Sequence, residues 1–366
     1  DCDVACRGDH RRANAYDRWH AVSPTPRIGI TTKLAASEED PMVRVAVLDD
    51  YQGVAMEMAD WGILPQNTKV EAFTDHLDDL EAISERLREF EVVVAMRERT
   101  PFTRDLLERL PKLELLVTTG SQNAAIDIEA ARELGAIVCG TGSLGYATAE
   151  LTWGLILALV RQIPREDHAV RDGGWQVSMG QGLRGKTLGI LGLGNLGTQV
   201  AKIGAAFGMD IVAWSQNLTE ERARGAGATL MSKEELLADS DVVTIHLKLS
   251  QRTRGLIGAA ELSEMKSSAY LVNTSRGPIV DERALIEALE EGGIAGAGLD
   301  TFDREPLPLD HRLRSLPNTV LTPHIGYVIE EAYRGYYKDA VEDIAAFIDG
   351  SPIRVLEENA GYQSGI

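Results

Sequence analysis

The chain has 366 residues, 44% of them apolar and 25% charged, which is material for two or three buried cores and excludes disordered and collagen-like classes. Its formal net charge of −19 offers no positive surface to nucleic acid or to an anionic membrane. Aromatics at 5% leave little for base stacking, whereas 35 glycines exceed the usual share of about 7% and suit tight turns and close backbone approaches.

Residues 1–41 mix Asp, Arg, His and Pro without helical or strand periodicity. Met42 is the first methionine and directly precedes the apolar run Val43–Leu48. Either the working chain starts at Met42, with an alternative start or a cloning artefact ahead of it, or 1–41 is an ordinary disordered tail. Cys2, Cys6 and Cys139 form no Cys-x-x-Cys pair and no disulfide framework. No secretion signal opens the chain, and the longest apolar stretch, Leu151–Val160, is half of a bilayer span. A cytoplasmic protein is expected.

From Met42 onward short apolar runs alternate with amphipathic patterns. Strands are expected at Val43–Leu48, Val70–Thr74, Val92–Met96, Leu113–Thr119 and Ile137–Thr141, with helices at Asp79–Leu87, Thr103–Leu110 and Ile128–Leu134 between them. The apolar helix Ala147–Val160 leads to a second series: Thr187–Leu191, Asp210–Trp214, Asp241–His246, Ala269–Thr274, Ala297–Asp300 and Val320–Thr322. Its helices are expected near Leu196–Phe207, Lys233–Ala238, Ala259–Met265 and Glu282–Glu291. A last helical pattern, Glu330–Asp349, follows and is expected to cross back to the first series. Such alternation predicts an α/β fold of two doubly wound parallel sheets, Rossmann- or flavodoxin-like, with a cleft between them.

Thr187–Leu191 runs into Gly192-Leu193-Gly194-Asn195-Leu196-Gly197 and then a helical pattern. A G-x-G-x-x-G between strand and helix is the dinucleotide fingerprint. Gly192 permits the tight turn, Gly194 removes a Cβ that would block the pyrophosphate, and Gly197 lets helix and strand pack closely. Backbone N–H groups at Asn195 and Leu196 face the phosphates. After the next strand the chain offers Ser215-Gln216-Asn217 in place of the acid that binds a ribose hydroxyl. Arg222 and Arg224 lie several residues on, so NAD is favoured and NADP is not excluded.

Three later segments complete the pattern: Asn273-Thr274-Ser275-Arg276-Gly277, Asp300-Thr301-Phe302-Asp303-Arg304-Glu305-Pro306, and Thr322-Pro323-His324-Ile325-Gly326. With the fingerprint they resemble the D-isomer-specific 2-hydroxyacid dehydrogenases. The resemblance covers essentially all of 42–366 and implies catalytic Arg276, Glu305 and His324. It places Thr274, Asp300, Arg276, His324 and Gly326 along the cofactor, Asp300 at its nicotinamide end, and His246 near its adenosine half. It implies a substrate-binding domain of 42–144 plus 325–366, a nucleotide domain of 145–324, and a homodimer paired through the nucleotide domain. With Ile366 so soon after the last helix, an appended regulatory domain is not expected.

In such chemistry a hydride reaches the carbonyl carbon of a 2-oxo acid while a group near neutrality protonates the oxygen, which suits histidine. A carboxylate on its second nitrogen fixes the tautomer, and an arginine fork grips the substrate carboxylate. Singly each residue has a plainer role: Arg276 on a surface, Glu305 in a loop, His324 packed inside. The resemblance also places the loop Gly120-Ser121-Gln122-Asn123 at the substrate carboxylate. Here the chain departs from the family's Gly-x-Asp-Asn-x-Asp, and Lys248 and Tyr327 depart likewise. Arg97 and Arg99 end a strand pattern, where they would suit a second anionic substrate group or simply be solvated. No histidine pair has metal-ligand spacing, so no metal is expected. The rival reading is a nucleotide-sensing scaffold akin to corepressors. A short-chain dehydrogenase is excluded, since no Tyr-x-x-x-Lys occurs.

Overall fold

The computed structural model describes residues 41–357. The expected leader, with Cys2 and Cys6, lies outside the described residues. Twelve strands form two sheets among the described residues. The first holds β1 (Val43–Val47), β2 (Thr68–Ala72), β3 (Val92–Ala95), β4 (Leu115–Thr118) and β5 (Ile137–Gly140), in the order β2-β1-β3-β4-β5. The second holds β6 (Thr187–Leu191), β7 (Asp210–Trp214), β8 (Thr229–Leu230), β9 (Val242–Ile245), β10 (Tyr270–Asn273), β11 (Gly296–Leu299) and β12 (Thr319–Leu321). Its order is β12-β11-β10-β9-β6-β7-β8.

Every pairing in both sheets is parallel. The first order is flavodoxin-like; the second is the Rossmann order extended by one strand. Both put a switch point where consecutive strands diverge, between β1 and β3 and between β6 and β9. Ligands of open α/β sheets bind at the carboxyl ends of strands there.

Alternation along each strand sends side chains to two different cores. Val45, Val47, Val92, Val94 and Met96 meet the helix Glu330–Ile348 on one face of the first sheet. Ala46, Leu48, Val93 and Ala95 meet Leu87, Leu106 and Ala130 on the other. The terminal helix thus belongs to the first sheet's core, through Tyr333, Tyr336, Tyr337, Ile344 and Phe347. The helix Ala147–Val160 instead packs Trp153, Ile156 and Leu159 against Leu188, Ile190 and Val272 of the second sheet.

Several helices begin where the sequence supplies a cap. Asp79, Asp127 and Asp281 accept from the backbone N–H three residues on, and Ser232 with Glu235 forms a capping box. One helix, Ile163–Arg171, buries none of its residues. None of the described helices is long and apolar enough to cross a membrane.

Candidate active site

The glycine loop lies at the switch point of the second sheet. Gly192 has φ +105°, and a Cβ there would stand 2.5 Å from the His246 carbonyl oxygen. A Cβ on Gly197 would come within 2.1 Å of the Gly192 carbonyl. Only glycine fits either place. Gly194 differs: it precedes the helix Asn195–Ala206, and a Cβ on it would meet nothing within 4 Å. Gly194 and Asn195 are exposed, so the open space lies before a helix start whose first N–H groups have no intrahelical acceptor. Such a helix start has the donors and the open space that a pyrophosphate would need.

Around it, Ser215 Oγ accepts from the Leu193 N–H at 3.1 Å, so this hydroxyl also ties the loop. His246 follows β9, and its Nε2 lies 3.0 Å from Thr244 Oγ1. Burial pushes its imidazole down to about 4, so it is neutral near pH 7 and no cation for a phosphate. Thr274 is buried, with its hydroxyl 2.9 Å from that of Thr152. Arg224 is paired with Glu220 at 2.8 Å.

The segments after β10, β11 and β12 converge. Asn273 shapes the first: its Oδ1 accepts from the Ser275 N–H, and its Nδ2 donates to the Arg276 carbonyl. Ser275 Oγ donates to the Ile245 carbonyl of the neighbouring strand. Arg276 is thereby presented beyond the sheet edge. Gly277 then meets the segment after β11 so closely that a Cβ would stand 2.1 Å from the Phe302 carbonyl carbon. The Phe302 N–H donates to Glu305 Oε1 at 2.9 Å, which leaves Oε2 for His324 Nδ1 at 2.6 Å.

Asp300 holds this arrangement together from beneath. It is fully buried. Its Oδ1 accepts from Thr322 Oγ1 at 2.6 Å and from the Ile325 N–H at 2.8 Å, and its Oδ2 accepts from the Gly326 N–H at 2.9 Å. Burial pushes the carboxyl above its ordinary range, opposed by these bonds and by His324. The Gly326 carbonyl accepts from Thr148 Oγ1 at 3.0 Å. His324 itself sits at φ +53°, a left-handed conformation costly for a non-glycine residue.

The first sheet contributes the opposite wall. Arg97, after β3, also has a positive φ of +54°. Its N–H donates to Thr119 Oγ1, and its carbonyl accepts from Asn123 Nδ2 at 2.6 Å. Its guanidinium lies over Gly120, where a Cβ would be 1.8 Å from Nη1. Arg99 donates to the Asp49 carbonyl and stacks 4.3 Å over Tyr51. Both arginines lie within 6 Å of the Tyr327 ring, whose edge meets the His324 ring at 5.7 Å between centroids.

One expectation for the substrate loop needs correction. The Gly120 N–H is not available, because it donates to Thr141 Oγ1 at 2.6 Å. Asn123 is buried and its side chain is consumed by Arg97, Thr118 and Ala125, so its amide shapes the loop. Ser121 and Gln122 are exposed at the loop's tip. Asp300 likewise spends both oxygens on the 322–326 segment. Sequence reasoning passed over Glu98, whose Oε1 accepts from Arg276 Nη2 at 2.7 Å across the cleft. Its one signal was its place between Arg97 and Arg99. Burial works to raise its carboxyl, yet Arg97 and Arg276 outweigh burial and hold it below the ordinary range.

Comparison with known proteins agrees with this geometry. Residues 153–326 match the family model described as D-isomer specific 2-hydroxyacid dehydrogenase, NAD binding domain. A glyoxylate reductase of Aeropyrum pernix is 45% identical over 256 residues, 67% of this chain and 76% of that protein. A D-3-phosphoglycerate dehydrogenase of Methanocaldococcus jannaschii is 37% identical over 313 residues, 84% of this chain but only 58% of its own length. The crystal structure of a phosphoglycerate oxidoreductase from Vibrio cholerae superposes with a TM-score of 0.81 at 36% identity, covering 84% of this chain and 100% of that one.

The Gly277 contact generates a first prediction. Gly277→Ala should destabilise the fold by about 1–3 kcal/mol through overpacking against Phe302. Thermal unfolding of the variant checks this; a melting temperature equal to the parent's would show that the two segments are not in contact. With the fingerprint, the two sheet orders and these relatives in agreement, the chain belongs to the D-isomer-specific 2-hydroxyacid dehydrogenases and is an NAD-dependent enzyme of that family.

Proposed function

We propose that the enzyme interconverts a small 2-oxo acid and the corresponding D-2-hydroxy acid, with His324 as the acid–base group. The observation that carries this reading is the 2.6 Å contact between His324 Nδ1 and Glu305 Oε2. With Nδ1 taken, Nε2 is the nitrogen left to exchange a proton with the substrate oxygen. Glu305 fixes the ring's tautomer and its orientation for that exchange. Arg276 supplies a planar fork for the substrate carboxylate and polarises the carbonyl. Asp300 positions His324 by holding the segment on either side of it. The bound nicotinamide supplies the hydride in reduction and takes it up in oxidation.

A closed circuit of contacts supports the convergence. Arg276 meets Glu98; the arginines flanking Glu98 meet Tyr327; Tyr327 meets His324; His324 meets Glu305. Glu305 is bonded to Phe302, and Phe302 abuts Gly277, next to Arg276. In this reading residues 42–144 plus 325–366 are the substrate-facing half and 145–324 the nucleotide half. Ser215 beside the glycine loop and the engagement of Arg224 by Glu220 favour NAD over NADP. Nothing on either wall favours a sensing scaffold over catalysis.

The relatives named glyoxylate reductase and D-3-phosphoglycerate dehydrogenase point to a short 2-oxo acid. Oxidation of NADH and NADPH against glyoxylate, hydroxypyruvate, pyruvate and 3-phosphohydroxypyruvate identifies both partners of the reaction. In that assay His324→Ala should lower kcat by roughly 10²–10⁴-fold. A variant that turns over at the parental rate would remove His324 from the mechanism.

We also infer a homodimer paired through the nucleotide half. The unburied helix Ile163–Arg171 and the following loop expose Ile163, Val170, Trp175, Val177 and Met179, an apolar strip that suits a second copy. Sedimentation should give twice the chain mass, and joint replacement of Trp175 and Met179 by Glu should halve it. A parent that sediments as a single chain at micromolar concentration contradicts the dimer.

A further inference from the structure

The first wall of the cleft carries two arginines, and in isolation they would invite a second anionic group on the substrate. The structure shows what those charges already face. Glu98 stands between them in sequence and reaches across to Arg276, donor and acceptor 2.7 Å apart. Its other oxygen, Oε2, is buried without a hydrogen bond and lies 3.6 Å from Arg97 Nε. One carboxylate is thus shared by Arg97 and Arg276. Arg97 is further occupied by the Thr119 carbonyl and packed over Gly120. Arg99 donates to the carbonyl of Asp49, whose buried carboxylate accepts from Thr100 and pairs with His76 at 2.8 Å.

We propose that Glu98 is a specificity-determining residue: its carboxylate, fixed beside the substrate-binding Arg276, rejects 2-oxo acids that carry a phosphate or second carboxylate on C3. The inference rests on the function proposed above and narrows its substrate class to 2-oxo acids with one negative charge. Anything held by Arg276 lies within one hydrogen-bonded contact of Glu98. The carboxylate of a monoanionic acid finds the remaining positive charge of Arg276, and a hydrogen or hydroxyl on C3 carries no charge to be repelled. A C3 phosphate would have to sit against a partly buried carboxylate that its arginine neighbours keep ionised. Like charges brought together in a site of low dielectric are strongly disfavoured, and selectivity commonly rests on such a repulsive element. Arg97 is held by Glu98 and the Thr119 carbonyl, and Arg99 by the Asp49 carbonyl and the Tyr51 ring, so neither turns toward a C3 anion.

The test compares kcat/KM with NADH for glyoxylate, hydroxypyruvate and 3-phosphohydroxypyruvate in the parent enzyme and in Glu98→Gln. The glutamine keeps the side chain's size and an acceptor oxygen for Arg276 while removing the charge. The parent should prefer hydroxypyruvate to its phosphorylated form by on the order of a hundredfold, and Glu98→Gln should shrink that ratio at least about tenfold. A parent that reduces both equally well overturns the proposal, whether or not the variant folds. So does a folded variant, judged by circular dichroism, whose ratio equals the parent's. If none of the three acids is reduced, the proposed function itself fails and this inference falls with it; if all are reduced with an unaltered ratio, only the role of Glu98 fails.

Discussion

A fully buried carboxylate that takes three hydrogen bonds from one returning segment is the constraint on which the site depends. Asp300 follows β11 directly and is buried where water cannot solvate it, so its charge is tolerable only if protein donors surround it. Thr322 and the N–H groups of Ile325 and Gly326 meet that need, and all three belong to the segment that carries His324. The segment must therefore return to the end of β11 in one conformation. His324, at φ +53°, occupies a backbone region that a free loop would leave. The cost of that conformation is borne by bonds on both sides of it.

The opposite wall follows the same logic. Arg97 adopts φ +54°, and both its backbone groups are fixed, one by Thr119 and the other by Asn123. Strained residues at the carboxyl ends of strands on both sheets thus look into one cleft. Between them Gly277 lets the backbone after β10 touch that after β11, closer than any side chain allows. The active-site side chains converge because backbone contacts force their loops together; their mutual attraction is secondary. Glu98 adds a contact that crosses from the first sheet's loops to the second's, on the arginine proposed to bind substrate, and Arg304 with Asp78 adds another at 3.1 Å.

Much of this architecture was legible in the chain itself. Strands buried on both faces read as short continuous apolar runs, so eleven of the twelve were anticipated to within about two residues at either end. β8, only Thr229–Leu230, is too short for any pattern, and the helix Ile163–Arg171 buries nothing and has too few apolar residues to set a period. The glycine loop was legible because three backbone constraints coincide at fixed spacing. Arg276, Glu305 and His324 were named from their motifs, and the structure brings Glu305 and His324 into contact. Glu98 was not legible, because its partner lies 178 residues away and nothing local marks it as more than a solvated charge. For Asn123 only the fold shows that its side-chain amide is used up inside the loop.

The central claim is that Glu305 acts through His324, by a hydrogen bond that fixes which ring nitrogen meets the substrate. A carboxylate on Nδ1 holds the ring with Nε2 toward the substrate oxygen, so turnover should depend on it while cofactor binding should not. The kcat for 2-oxo acid reduction and the affinity for NADH, measured together for the parent and for Glu305→Ala, test this most directly. The variant should lose at least about tenfold in kcat and bind NADH as the parent does. A variant with the parental kcat would contradict the account.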